Sequence, residues 1–256
     1  MNYSLLYQPL KLIERAALAI KRRRRFKKLQ HTPAAQLGLG HIDSLELLEI
    51  IRDDAGLTAS PNIYDIGSNV GTWTLLAKAI FPNARVDAFE PLPDHNSQFN
   101  DSCKNLTDIH LHEFCLGNED TTGLINISSY SDSSSLLVAT PLEFEHFNIK
   151  KEKELPVKIK RLDGLIKDKT IPAPDIIKLD IQGFELEALK GLDTYLNDVT
   201  YIICEVSFKE YYYGQPGFLE IANYLACFNI HLFAFGNNTP IGTELNQIDV
   251  LFKRRK

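Results

Sequence analysis

The stretch NIYDIGSNVGTW, residues 62 to 73, constrains the fold more than any other part of the chain. An apolar run climbs to Asp65, meets Gly67, passes a polar turn and reaches Gly71, after which a helical pattern begins. A glycine directly after a buried strand permits a tight turn, and a second one lets the following helix pack close to that strand. Strand, glycine turn and helix in this order predict the opening unit of a parallel α/β sheet.

The rest of the chain repeats the alternation. Strands are predicted at 62–66, 85–89 and 109–115, with helices at 71–80 and 94–105 between them. After a less regular region, 117–174, come the strand LPVKIKRL, the strand PDIIKLDI and the helix FELEALKGL. VTYIICEV reads as a further strand and GFLEIANYLACF as a helix, and IHLFAFG and QIDVLFKRR read as two final strands forming a hairpin. The expected fold is a doubly wound, mostly parallel α/β sheet with a C-terminal antiparallel strand. The irregular region carries the serine-rich SSYSDSSSLL at 128–137, a composition typical of a flexible loop.

In such a sheet, ligands bind outside the carboxyl ends of the strands. Dinucleotide folds open in the same way, but their fingerprint needs Gly-x-Gly-x-x-Gly. Counted from Gly67, the second and third glycines are replaced by Asn69 and Thr72. The second glycine is what allows a pyrophosphate to approach the backbone, so an NAD-dependent oxidoreductase is disfavoured, and a Walker A pattern is absent too. The next strand, ARVDAFEP, ends on Glu90, twenty-three positions after Gly67, where an acid can accept hydrogen bonds from both hydroxyls of a ribose. A nucleoside lacking a diphosphate fits both features, and S-adenosylmethionine is such a ligand.

The pieces DIGSNVGTWT, VDAFEPLPDH, SSSLL, VKIKRLDGLI, DIIKLDIQGFELEALKG and ICEVSFKEYYYGQPGFLEI, taken in order from about residue 60 to 252, resemble the FkbM-type methyltransferases. These are class I enzymes dependent on S-adenosylmethionine. The resemblance implies that Asp65, Gly67, Asn69 and Gly71, with Ser68 and Thr72 beside them, surround the methionine part of the cofactor. It also implies that Glu90, followed by Pro91, takes the ribose, and that Leu116, Gly117 and Asn118 hold the adenine. Family members more often carry an acid where Asn118 stands, although its amide oxygen can still accept a hydrogen bond from the adenine amino group. Gln182 stands where many relatives have Glu, which makes it a poor acid–base candidate.

Methyl transfer from a sulfonium is a displacement, and alignment of the reactants supplies much of the rate. A sugar hydroxyl is a weak nucleophile, so a base or a metal should assist it. Asp180, ending IIKLD, is the first candidate base and a further cofactor contact, and Glu205, ending YIICE, would lie beside it if their strands are neighbours. The two carboxylates could instead hold Mg²⁺. The plain structural alternatives are that Asp180 caps the helix beginning near Gly183 and that Glu205 solvates a strand end. Glu185 is a third catalytic candidate, although a place in the first turn of a helix also accounts for it. Tyr211 and Tyr212, in FKEYYYGQPG, are candidate sugar contacts or plain loop anchors. Ser134 and Ser135, with Ser133, could form a lid over the cofactor or acceptor.

Residues 1–58 are expected to form a basic helical extension and residues 59–256 the catalytic domain. Residues 1–30 hold nine Lys/Arg against Glu14, a local charge of +8, and the remainder carries about −13 within a total of −5. An acidic body disfavours nucleic acid as a partner. The arm KLIERAALAIKRRRRFKK reads as a helix with an apolar face and a basic end, too short in its apolar part to cross a membrane. It would dock on its own domain or rest on an anionic membrane surface. HIDSLELLEIIRDD reads as a second helix packed on the core, started by Asp43 or Ser44. Four cysteines with neither CxxC pairs nor zinc-ligand spacing fit a reducing compartment. The expectation is therefore a cytoplasmic O-methyltransferase, peripheral at the inner membrane face if the arm binds lipid. Its acceptor would be a sugar hydroxyl in a glycan, lipid-linked saccharide or glycosylated metabolite. Rival readings are a methyltransferase acting on RNA or protein, and a noncatalytic nucleoside-binding module.

Overall fold

The computed structural model describes residues 9–54, 57–129, 131–148, 150–236, 239–241 and 244–255. Strand β1 (Asn62–Ile66) is central because Ile63, Tyr64, Asp65 and Ile66 are all buried, leaving no face for solvent. It pairs in parallel with β2 (Arg85–Phe89) on one side and with β7 (Ile176–Leu179) on the other. Beyond β2 lies β3 (Ile109–His112), and beyond β7 lie β8 (Tyr201–Ser207) and the antiparallel β11 (Glu244–Arg254). The chain therefore winds outward in both directions from β1, and the crevice between the carboxyl ends of β1 and β7 is its topological switch point.

Period-two alternation sends successive strand residues into two cores. Tyr64, Ile66, Ile177, Leu179, Ile202 and Cys204 pack with helices α6 (Leu162–Lys167), α7 (Glu185–Lys190) and α8 (Phe218–Ala226). Ile63, Val86, Ile176 and Ile203 pack on the opposite face with α3 (Thr72–Ile80). That second layer also contains α2 (Ile42–Asp53), whose Leu45, Leu48 and Ile51 are fully buried. The limit expected at residue 58 thus separates two elements of one shared core. Helix α1 (Pro9–Lys27) precedes α2. His41, without a side-chain cap, occupies the N-cap of α2, which places Asp43 and Ser44 inside its first turn.

Two expectations need correcting. The strand expected at 109–115 ends at His112, and Cys115–Leu116 forms a separate β4 in a second, three-stranded sheet with β5 (Thr121–Ser128) and β6 (Lys151–Lys160). LPVKIKRL is the end of that longer β6, which runs antiparallel to β5 outside the main sheet. Only one face of β6 is covered, by burial of Val157 and Ile159, so the strand alternates apolar and charged residues. The two final strands, β9 (Ile230–Phe235) and β11, do pair antiparallel, with a short β10 (Thr239–Ile241) between them that pairs with the first residues of β11. Helix α4 (Pro93–Cys103) follows β2, and a short α5 (Pro141–Phe147) lies in the region of the serine tract.

Candidate active site

A cleft of about 450 Å³ opens at the switch point. Its first wall is the turn after β1. Gly67 sits at φ +80°, and a Cβ there would lie 2.0 Å from the carbonyl oxygen of Asp180, so the β1 and β7 turns can touch only through a glycine. The amides of Gly67 and Ser68 both donate to Phe89 O, at 3.0 and 3.1 Å, and the amide of Asn69 donates to Glu90 Oε2 at 3.0 Å. The turn is thus fastened to the end of β2 by amides that would otherwise face a ligand. Ser68, Asn69, Thr72, Glu90 and Pro91 all line the cleft. Glu90 also accepts from Leu92 N at 2.9 Å and lies 3.4 Å from His95 Nδ1. That contact raises the His95 pKa above the ordinary histidine value.

Asp65 is not on the wall. It lies fully buried beneath the turn, where Thr74 Oγ1 donates to it at 2.6 Å and Lys178 Nζ stands 3.6 Å away. Burial raises its pKa, against the pull of Lys178. Gly71 is likewise behind the wall, at φ +87°, where a Cβ would press on Phe99 and Cys103 of α4. Both residues shape the turn from behind. Apolar side chains also line the cleft: Phe89, Phe114, Leu116, Ile125 and Leu136. Gly117 and Asn118 stand outside it. Gly117 is packed against Ile159 and Phe184, and the Asn118 side-chain oxygen accepts from Arg161 at 2.7 Å, which commits the atom expected to meet the adenine.

The opposite wall carries charge. Asp180 at the end of β7 and Glu205 on the adjacent β8 both line the cleft, as expected. Gln182, held at φ +54°, donates from Nε2 to Asp180 Oδ1 at 2.9 Å and to Glu205 Oε2 at 3.2 Å. The antiparallel register places Asp249 of β11 opposite Glu205, so a third carboxylate joins the wall. Burial first, then the charges of Asp180 and Asp249, push the Glu205 pKa well above the carboxylate range. Burial and Asp180 push Asp249 up to about 7. Lys178 counters this charge, standing 3.4 Å from Asp180 Oδ2 and donating to Gly67 O at 3.1 Å. Burial works against its ammonium, but Asp180, Asp65 and Asp249 outweigh that and hold its pKa above the usual lysine value.

The remaining candidates sit elsewhere. Glu185 Oε1 accepts from the amides of Ile181 and Gly183, at 3.0 and 3.1 Å, and so closes the β7 turn behind the cleft. Burial pushes it up to about 7. Tyr211 is fully buried, its hydroxyl on Asn246 and its ring against His146 and Phe147, away from the cleft. Tyr212 is also buried, with its hydroxyl 3.2 Å from Gln182 Oε1 and 3.3 Å from Glu143 Oε1, so it backs the carboxylate bridge. Ser134 and Ser135 do line the cleft. Ser135 Oγ donates to Gln182 O at 2.6 Å, and Asn69 Nδ2 donates to Asp132 at 2.7 Å, which fastens the serine tract to both turns.

Lys178, Gln182, Asp249 and the cleft residues His41, Ser44 and Trp73 were not singled out as site residues from sequence. A lone lysine in the apolar run DIIKLDI was a usable signal for the first. Asp249 had none, because only strand pairing brings it to Glu205. Among the described residues no group of three or more His, Cys, Asp or Glu is arranged to hold a metal ion. Between Asp180 and Glu205 stands the Gln182 amide, a donor where a cation would need acceptors, so the arrangement does not fit Mg²⁺.

A cleft with apolar side chains, an acid after β2 and a second acid after β7, set at the switch point of a sheet ordered β3-β2-β1-β7-β8-β11, defines a class I methyltransferase dependent on S-adenosylmethionine. The residues present fit that cofactor: the apolar side chains would take its base and Glu90 would take its ribose. Comparison places the chain more closely: the methyltransferase FkbM domain matches residues 65–234, and the chain belongs to that family. It is 26% identical to methyltransferase 1 of Beauveria bassiana, over 63% of this chain and 70% of that protein. It is 29% identical to the hexuronic acid methyltransferase AglP of Haloferax volcanii, over 56% of this chain and 55% of that protein. With the 2-O-methyltransferase NoeI of Sinorhizobium fredii it shares 24% over 72% and 79%. The solved FkbM methyltransferase of Methylobacillus flagellatus superimposes with a TM-score of 0.51 at 16% identity, covering 93% of this chain and 60% of that one, and supports the fold.

Proposed function

We propose that this methyltransferase transfers its methyl group to an oxygen, a hydroxyl of a sugar in a glycan, lipid-linked saccharide or glycosylated metabolite. The observation carrying this reading is the pair Asp180 and Glu205, bridged by Gln182 and backed by Asp249. S-adenosylmethionine supplies an electrophilic methyl; the chain must supply alignment and a place for the hydroxyl proton. Glu205 is the base. Burial and its acidic neighbours raise its proton affinity, which suits proton abstraction once it is ionised. Gln182 holds the two carboxylates together through its amide, and Lys178 ties Asp180 to the turn after β1 through Gly67. Two relatives named for hexuronic acid and 2-O methylation support a sugar hydroxyl as the acceptor class.

The same wall selects among sugars. Three carboxylates face the acceptor end, and the Lys178 ammonium is already engaged by Asp65, Asp180 and Gly67. An acceptor ring bearing its own carboxylate would find that cation engaged and would add to acids already competing for protons, so a neutral sugar is favoured over a uronate. Trp73 also lines the cleft, and its indole supplies apolar surface suited to a sugar. The test is transfer of radiolabelled methyl from S-adenosylmethionine into matched neutral and uronic glycosides, with S-adenosylhomocysteine titration alongside. Neutral glycosides should be labelled. Cofactor binding with label appearing only in RNA or protein would overturn the acceptor, and no cofactor binding would overturn the site.

A further inference from the structure

Among the described residues, helix α1 is bound to the body through its C-terminal turns. Arg25 pairs with Glu46, and through Nε with Glu49 at 3.1 Å, while Arg22 lies 3.9 Å from Glu46; both acids are on α2. Arg22, Arg25 and Phe26 are half-buried, whereas residues 12 to 21 are exposed throughout. At 3.6 residues per turn these three share one side of the helix. The opposite side carries Ile13, Ala16, Ala17 and Ile20, then Arg23, Arg24 and Lys27 in the last turns. Ile13 is 64% and Ile20 52% exposed, so two β-branched hydrophobes stand in water beside a cluster of cations. No described helix is long and apolar enough to cross a membrane.

We infer that the outward side of α1 is a docking surface for an anionic lipid bilayer. Apolar side chains continuous with cations are what an interfacial helix needs, the first entering the acyl boundary and the second meeting acidic headgroups. Nucleic acid would use the cations but leave Ile13 and Ile20 in water. The chain beyond residue 30 carries about −13, so an acidic membrane repels the body and attracts only this side of the helix. The anchor is also placed to matter. Glu46 and Glu49, which hold α1, lie within two turns of Ser44, and Ser44 and His41 line the catalytic cleft. A bound α1 brings the cleft to the lipid surface, where a lipid-carried acceptor would be met; that last step alone rests on the proposed function.

The experiment is co-sedimentation of the full chain with vesicles of phosphatidylcholine alone or mixed with phosphatidylglycerol. Two variants accompany it, R23E/R24E/K27E and I13S/I20S, neither of which touches the arginines that dock α1. Each basic residue near an acidic surface strengthens binding roughly fivefold, so the first variant, which reverses three charges, should bind at least about a hundredfold more weakly. The second should lose binding as well, and both should keep wild-type affinity for S-adenosylhomocysteine, which reports an intact fold. Absence of binding to the acidic vesicles at low salt would overturn the inference. So would binding that survives both variants, loss confined to the charge variant with equal binding to an RNA oligomer, or a dimer by light scattering that I13S/I20S dissociates.

Discussion

Lys178→Met tests the electrostatic core of the site. The ammonium stands 3.6 Å from Asp65, 3.4 Å from Asp180 and 3.1 Å from Gly67 O, with its side chain 10% exposed. Methionine keeps the length and removes the charge, leaving the fully buried Asp65 with Thr74 as its one hydrogen-bond donor. Removing one member of a buried ion pair typically costs about 3–5 kcal/mol. For a chain of this size that is a fall of roughly 6–20 °C in melting temperature. The loss should depend on pH. Burial holds the Asp65 pKa above the ordinary carboxylate value, so its favourable contribution is complete below that ordinary value and is lost as pH rises through the folded pKa. Without Lys178 the folded pKa moves further up, so the variant should be more destabilised at pH 8 than at pH 5. Chemical denaturation at the two pH values measures this, and Lys178→Met/Asp65→Asn should recover much of the stability, because it removes the stranded charge as well. A pH-independent loss below about 1 kcal/mol would refute the assignment of Lys178 as the counter-charge of Asp65.

Glu205→Gln should lower kcat by about 10²–10⁴-fold while leaving S-adenosylhomocysteine affinity intact, and an unchanged kcat would remove Glu205 as the base. Asp249→Asn takes a like charge from beside Glu205, so the Glu205 pKa should fall and the acid limb of the pH–rate profile should move to lower pH. A shift to higher pH would contradict the coupling. Gly67→Ala forces a Cβ against Asp180 O in a left-handed backbone that itself costs roughly 1–2 kcal/mol, so calorimetry should show cofactor binding abolished along with a lower melting temperature.

Much of this protein is local and therefore legible in the chain. β1, β2 and β7 are short apolar runs bounded by turn residues, and Gly67 announces a turn that no side chain fits. The acids after β2 and β7 lie at strand ends and Glu205 lies near the end of β8, and strand ends of a parallel sheet converge on one edge, so Glu90, Asp180 and Glu205 could be named from spacing. What the chain could not state is which neighbours each group acquires. Asp65 reads like a ligand contact and is a buried anchor, because Thr74 and Lys178 reach it from other elements. Tyr211 and Tyr212 read like a sugar platform and face inward, since Asn246 and Gln182 offer their hydroxyls partners that a buried phenol needs. Asp249 is 44 residues from Glu205 and becomes its neighbour through antiparallel pairing. Residue types and strand ends were therefore set by sequence, whereas charge state, orientation and access were decided by tertiary structure, because desolvation and pairing depend on groups distant along the chain.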